Sequence, residues 1–186
     1  MPPKARVTRE MIVAAAFELV RKQGLGALNA RSVAAALDSS TQPVFSNFSS
    51  MEEVKAAVIE AADEFFASYA QDEIQKGKYP AYKASGMAYI RFAKEERELF
   101  KLLYMRDRSR EEDLRQDRTE DSQAVLVKDS TGFEGDTARL FHLEMWAFVH
   151  GIAVITASNY ADFDEQLISA MLTDAFQGLR KRHEMG

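Results

Sequence analysis

Cysteine is absent from the 186-residue sequence. That excludes a disulfide framework, a thiolate metal site and a cysteine nucleophile, and it is consistent with a reducing compartment. No uncharged apolar run reaches the ~18 residues expected of a membrane span, and no secretory h-region is visible near the N-terminus; a soluble, cytoplasmic protein is expected. Only four prolines interrupt the chain, and alternating strand-like runs are scarce, so an all-α fold is expected. Glycine-rich phosphate loops, Ser/His/Asp arrangements and paired-carboxylate motifs are missing, and no enzymatic activity or cofactor is expected. Of the three histidines, His142 and His150 lie eight residues apart. On one straight helix that is about 12 Å along the axis, too far for one ion, and no metal site is expected. His150 reads instead as a core or interface histidine, with Gly151 permitting close helix packing.

What is present is enough apolar material for a core: 46% of residues are hydrophobic and 28% charged. The net charge of −5 is unevenly spread. Residues 1–50 carry six basic and three acidic side chains, a net +3, while the remainder carries 18 basic and 26 acidic, a net −8. A positive head on an acidic body suits a protein that meets phosphate at one end only. Two domains are expected, a basic head over 1–50 and an acidic, helical body over 51–186.

Helical periodicity sets the remaining elements. Thr8 is a plausible N-cap for a first helix with Ile12, Ala15, Ala16, Leu19 and Val20 on one face, ended by Gly24 and Gly26. Asn29 caps a short second helix through Val33, Ala34 and Leu37, and a third is expected from Ser40 to Asn47. Ser49/Glu52 and Ser50/Glu53 both have capping-box spacing, opening a long fourth helix to about Lys76. Further helices are expected at about 80–94, 96–106, 136–159 and 164–181. The charged stretch 106–121 reads as a solvated helix or loop, and Ser130–Gly135 as a connector.

The segment Ser32–Phe48 has the pattern of a helix-turn-helix, in which a second short helix enters the major groove. The small residue for the helix crossing is Ala34. Four positions on comes the turn residue, Asp38, a type that tolerates left-handed backbone better than most. Six further on, Val44 anchors the second helix from below. Ser39, Ser40, Thr41 and Gln42 then fall at the turn and helix start, with Ser46 and Asn47 one turn on, where short polar side chains reach base edges. Pro43 fits the first turn because its missing N–H is not needed there. Lys4, Arg6 and Arg9 form a basic arm ahead of the first helix.

Over about residues 8–60 the sequence resembles the TetR family of one-component repressors. The likeness is carried by Thr8-Arg9-Glu10-Met11-Ile12, Ala15-Ala16, Gly24, Val33-Ala34, Leu37 and the run Val44-Phe45-Ser46-Asn47-Phe48-Ser49-Ser50-Met51-Glu52-Glu53-Val54. Four positions depart from the usual pattern: Asp38 for glycine, Phe45 for tyrosine, Asn47 for histidine and Met51 for lysine. Phe45 and Met51 cannot hold phosphate as tyrosine and lysine do. Base contacts are then expected from Thr41, Gln42, Ser46 and Asn47, and phosphate contacts from Ser39, Ser40, Arg31 and the arm, with Phe45 also at the interface. Trp146 to Gly151 is similar to the W-x-x-x-H-G signature of one TetR C-terminal class.

That resemblance implies a homodimer joined through the last two helices and an inducer pocket in the helices before them. The residues expected in the pocket are Phe65, Tyr69, Tyr89, Phe92, Phe100, Tyr104, His142 and Trp146, which suit a small apolar or aromatic ligand. Independently, the helix expected at 136–159 carries too many apolar residues for one buried stripe, and the last helix has a second wide stripe. The expected dimer contacts are Phe148, Ile152, Ile155, Leu167, Met171, Leu172 and Phe176. The function read from all this is a sequence-specific DNA-binding regulator, a repressor released by a small molecule, with the fourth helix as lever. The alternatives are a helical ligand-binding module without DNA binding, a regulator answering to a protein partner, and an enzyme on a helical bundle.

Overall fold

A computed structural model describes residues 7–107 and 120–185. The described residues are helical and contain no strand. In chain order the helices are α1 (Arg9–Gln23), α2 (Ala30–Ala36), α3 (Gln42–Asn47), α4 (Met51–Gln75), α5 (Ala81–Glu95), α6 (Arg97–Tyr104), α7 (Glu120–Thr131), α8 (Gly135–Ala157) and α9 (Glu165–Glu184). A single 3-10 turn, Leu25–Ala27, follows α1.

The helix starts follow side-chain chemistry. Thr8 accepts from the Met11 amide, Asn29 from Arg31 and Ser32, and Asp164 from Leu167. Each such cap satisfies amides that the helix leaves without partners, worth about 1 kcal/mol. At α4 the Ser50 hydroxyl accepts from the Glu53 amide, while the Glu53 carboxylate reaches back one residue further than expected, to the amide and hydroxyl of Ser49.

The chain divides into two compact units. The first comprises residues up to Ala67 together with Glu96–Arg106; the second comprises Ser68–Glu95 and the chain from Asp107 onward. The boundary expected at 50/51 therefore falls inside the first unit, and α4 contributes to both.

In the first unit, α1 packs on α2, α3 and α6. Ile12, Ala16 and Val20 form its buried stripe, and Val33, Val44, Phe48, Val54 and Val58 of the same unit are buried as well. Each fully buried aliphatic contributes about 1.5–3 kcal/mol. Arg21 on α1 is ion-paired with Glu96 at the head of α6, and its Nε donates to Oε2 at 2.7 Å. Hydrogen bonding to Glu96 raises the arginine pKa above its ordinary value. Gly24 ends α1 at φ +80, a backbone conformation that calls for glycine.

In the second unit, α5 lies against α8, α9 and α7, and α8 against α9 and α7. Tyr82, Val127, Ala138, Phe141 and Met145 form a buried cluster, with Phe133, Phe176 and Leu179 packed on it. Phe141 sits edge-on to Phe133 and Phe176, with ring centroids 5.6 and 5.4 Å away. An ionic chain runs alongside: Glu73 near the end of α4 pairs with Arg91 of α5, and Arg91 and Lys78 both reach Glu165 in the first turn of α9.

Two elements differ from expectation. α7 was not expected as a helix; its apolar residues are the consecutive run Ala124–Val127, which shows no helical period, and among its described side chains Val127 is the one fully buried. α3 begins at Gln42 rather than Ser40, since Thr41 serves as its cap position and Pro43 stands in its first turn. The stretch 108–119, most of the charged segment, lies outside the described residues. By length and composition α8 could cross a membrane: its most apolar 18-residue window has a mean hydropathy of 1.4.

Candidate nucleic-acid interface

The helix-turn-helix geometry follows from small and large residues at the expected places. Ala34 is 3% and Val44 0% exposed, which lets α2 and α3 cross closely. Asp38 takes φ +47, the left-handed conformation the turn needs. The Ser39 amide then bonds the Ala34 carbonyl at 2.9 Å, closing the end of α2.

This packing leaves one side of α3 outside. Gln42, Ser46 and Phe45 are exposed, Phe45 at 54%, and Ser40 just ahead of the helix is exposed as well. Ser39, Thr41 and Asn47 are half-buried. Several of these polar groups are held by their own backbone: the Ser46 hydroxyl donates to the Gln42 carbonyl at 2.9 Å, and the Asn47 amide donates to the Pro43 carbonyl at 2.8 Å. Such bonds fix the rotamers before any partner arrives, which lowers the entropic cost of contact. Arg31 is exposed in the first turn of α2.

The basic arm is a different matter. Lys4 and Arg6 lie outside the described residues. Arg9, expected on phosphate, is engaged within the protein. Its Nη1 donates to the Asn47 carbonyl at 2.8 Å and lies 2.9 Å from Glu53 Oε1, and the guanidinium sits 3.9 Å from the centroid of the Phe48 ring. Glu53 and Phe48 are the members of this cluster that sequence reasoning did not single out. Glu53 was legible only as a capping residue, and nothing in the spacing brings it to Arg9, forty-four positions earlier. Its pKa is held below the ordinary range, first by the Ser49 amide and hydroxyl, then by Arg9.

The expected pocket residues are drawn from both units. Phe65, Phe100 and Tyr104 belong to the first unit. There Phe65 meets Phe17 at 5.7 Å, and Tyr104 meets Phe66 and Phe100 at 5.8 and 5.2 Å. Tyr69, Tyr89, Phe92, His142 and Trp146 belong to the second. Tyr69 stands edge-on to Phe92 at 5.5 Å and donates to Glu95 at 2.6 Å; burial, then that carboxylate, raises its pKa. Two tyrosine–histidine pairs link α5 to α8: Tyr82 hydroxyl to His142 Nδ1 at 3.1 Å, and Tyr89 hydroxyl to His150 Nδ1 at 2.9 Å. Trp146 stacks on His150 with centroids 5.0 Å apart, and burial lowers the His150 pKa.

The expected dimer contacts also separate. Phe148 and Leu167 are exposed at 37% and 47%, and Ile155, Met171 and Phe176 are half-buried. Ile152 and Leu172, 4% and 3% exposed, are buried within their own chain. Leu172 is turned toward α5, its Cδ1 3.5 Å from where a Cβ on Gly86 would stand. Leu140 and Leu143 of α8 are exposed at 50% and 48%.

Comparison with known proteins agrees with this architecture. Residues 82–176 match the family described as tetracyclin repressor-like, C-terminal domain. The fold is similar to that of a TetR family member from Streptomyces coelicolor A3, with a TM-score of 0.60 and 20% identity over 90% of this chain and 96% of that one. It is also similar to the multidrug binding protein EbrR complexed with imidazole, with a TM-score of 0.57 and 20% identity over 90% of this chain and 88% of that one. Among curated proteins none matches. The chain belongs to the TetR family, whose members are DNA-binding transcriptional regulators. The family match carries no assignment to the Trp-His-Gly class.

Proposed function

We propose that the chain is a cytoplasmic homodimeric repressor that leaves its operator when a small apolar or aromatic ligand binds. The observation that carries the DNA half of this reading is the outward, polar side of α3, seated on the buried pair Ala34 and Val44. Gln42, Ser46 and Asn47 would read base edges in the major groove, and Ser39, Ser40, Thr41 and Arg31 would contact the sugar-phosphate backbone. Phe45 would offer apolar contact to a thymine methyl group.

Support for the dimer comes from α8 and α9. Only 39% of the most apolar window of α8 is buried within the chain. Gly151 and Gly178 have nothing within 4 Å of a Cβ built on them. Glycine inside a helix costs about 1 kcal/mol relative to alanine, and no neighbour within the chain explains it there. A second subunit would cover Leu140, Leu143, Phe148, Ile155 and Leu167 and come close at the glycines.

For the ligand, the aromatic side chains of the second unit offer apolar walls with polar tips: Tyr69, Tyr89, Phe92, His142 and Trp146. Release would require the ligand to bind the non-operator state more tightly, by at least as much as it weakens DNA binding. The test is selection from a random-sequence duplex library, followed by displacement of the selected duplex with small aromatic compounds. Selection of a near-palindrome supports the dimeric regulator. Ligand uptake without any selected sequence would favour the binding module that lacks DNA recognition, a reading that the phenylalanine at position 45 and methionine at position 51 favour.

A further inference from the structure

One guanidinium ties together three elements of the first unit. Arg9 opens α1; the Asn47 carbonyl it binds is at the end of α3; Glu53 stands in the first turn of α4; and Phe48, 2% exposed, joins the last two. Planar Arg meets all three through different chemistry: one N–H to a carbonyl, one charged contact to a carboxylate, and a face over a ring. The same Glu53 uses its other oxygen on Ser49, so the clasp also holds the joint between α3 and α4.

We infer that Arg9 is a positioning residue for α3, which holds the reading helix at its working angle instead of gripping phosphate. This rests on the DNA-binding reading above and sharpens it. The two roles make opposite demands on Glu53. If Arg9 gripped phosphate, Glu53 would compete for it, and neutralising Glu53 would strengthen binding. If Arg9 is a clasp, neutralising Glu53 loosens α3 and weakens specific binding.

The test uses the full chain and the duplex that the wild-type protein selects from a random library, with a scrambled duplex as competitor. Arg9→Gln and Glu53→Gln are each expected to lower affinity for the selected duplex about tenfold, a loss of about 1.4 kcal/mol. Affinity for the scrambled duplex changes less, and the salt dependence keeps its slope. Arg9→Lys keeps the charge but not the fork, and it is expected to recover little. Hydrogen exchange at the amides of Phe45–Phe48 is expected to quicken in both Gln variants while the thermal midpoint stays near wild type. A salt slope shallower by about one in Arg9→Gln, the signature of a lost phosphate contact, overturns the proposal. So do tighter binding by Glu53→Gln, full recovery in Arg9→Lys, and unchanged exchange at α3. Should Arg9→Gln fail to fold, Glu53→Gln decides, since its expected effect has opposite signs under the two roles. If the wild-type chain selects no sequence, the DNA reading itself falls and the positioning role with it, an outcome visible before any variant is made.

Discussion

The two units spend their apolar residues differently. In the first, Ile12, Val20, Val33, Val44 and Val58 are all fully buried, and the outward side of α3 is mostly polar. In the second, α8 buries Phe141, Met145 and Val149 but leaves Leu140, Leu143, Trp146 and Phe148 outside. The first unit therefore buries its aliphatic residues and presents hydrogen-bonding groups on α3. The second buries a core and still leaves apolar residues of α8 exposed, which the proposed dimer would cover. Rigid helix packing serves both ends: it fixes a small polar face in one and supports a wide apolar face in the other.

Several measurements would break or sharpen that contrast. The largest effect is expected from Phe141→Ala, which empties the centre of the second unit. About 3–5 kcal/mol should be lost on denaturant unfolding; a loss below 1 kcal/mol would mean that the ring is not a core element. Next is Phe148→Glu, which places a charge on the outward side of α8. Sedimentation should show monomers, with dimer affinity down at least about a hundredfold, while helix content is kept. An intact dimer would remove Phe148 from the interface.

Gln42→Ala should weaken binding to the selected duplex by about 1–3 kcal/mol and relax preference at one or two base pairs. Equal loss on scrambled DNA would count against base readout.

Acidification separates the units more gently. The His150 pKa is lowered in the fold by burial, so the folded state holds the neutral ring. Its contribution is present above the ordinary value of 6.5 and is lost as pH falls from there toward the lowered value. The thermal midpoint of the second unit should drop over that range, and His150→Gln should flatten the drop.

The smallest effect is the most diagnostic in sign. Gly151→Ala should stabilise an isolated subunit by up to about 1 kcal/mol, because the added methyl meets open space within the chain. The same methyl should weaken the dimer if two helices approach closely there. A tighter dimer would mean that Gly151 is not at a contact.

Much of this fold was legible because local chemistry dictates it. Thr8, Asn29 and Asp164 announce helix starts with a side-chain oxygen, and Asp38 marks a turn where left-handed backbone is required. α7 escaped because its apolar residues stand in one consecutive run, Ala124–Val127, which gives no helical period. On α8 the periodicity identified a helix but not its inward side, since apolar residues lie nearly all round it; Ile152 thus looked as suited to an interface as Leu143. The pocket residues were chosen by type, and type says nothing of which ring meets which: Phe65 and Tyr104 find partners in the first unit, Tyr69 and Trp146 in the second. Arg9 was read from its charge and its place ahead of α1. Its clasp depends on Glu53 and Asn47 returning to it through the fold, a tertiary fact that charge patterning does not hold.

The most direct test of the central claim is the sequence selected by the purified wild-type chain from a random duplex library at physiological salt. The account predicts an enriched near-palindrome with two half-sites, one for each α3 of a dimer. Recovery of no enriched sequence, with binding that merely tracks ionic strength, would contradict it.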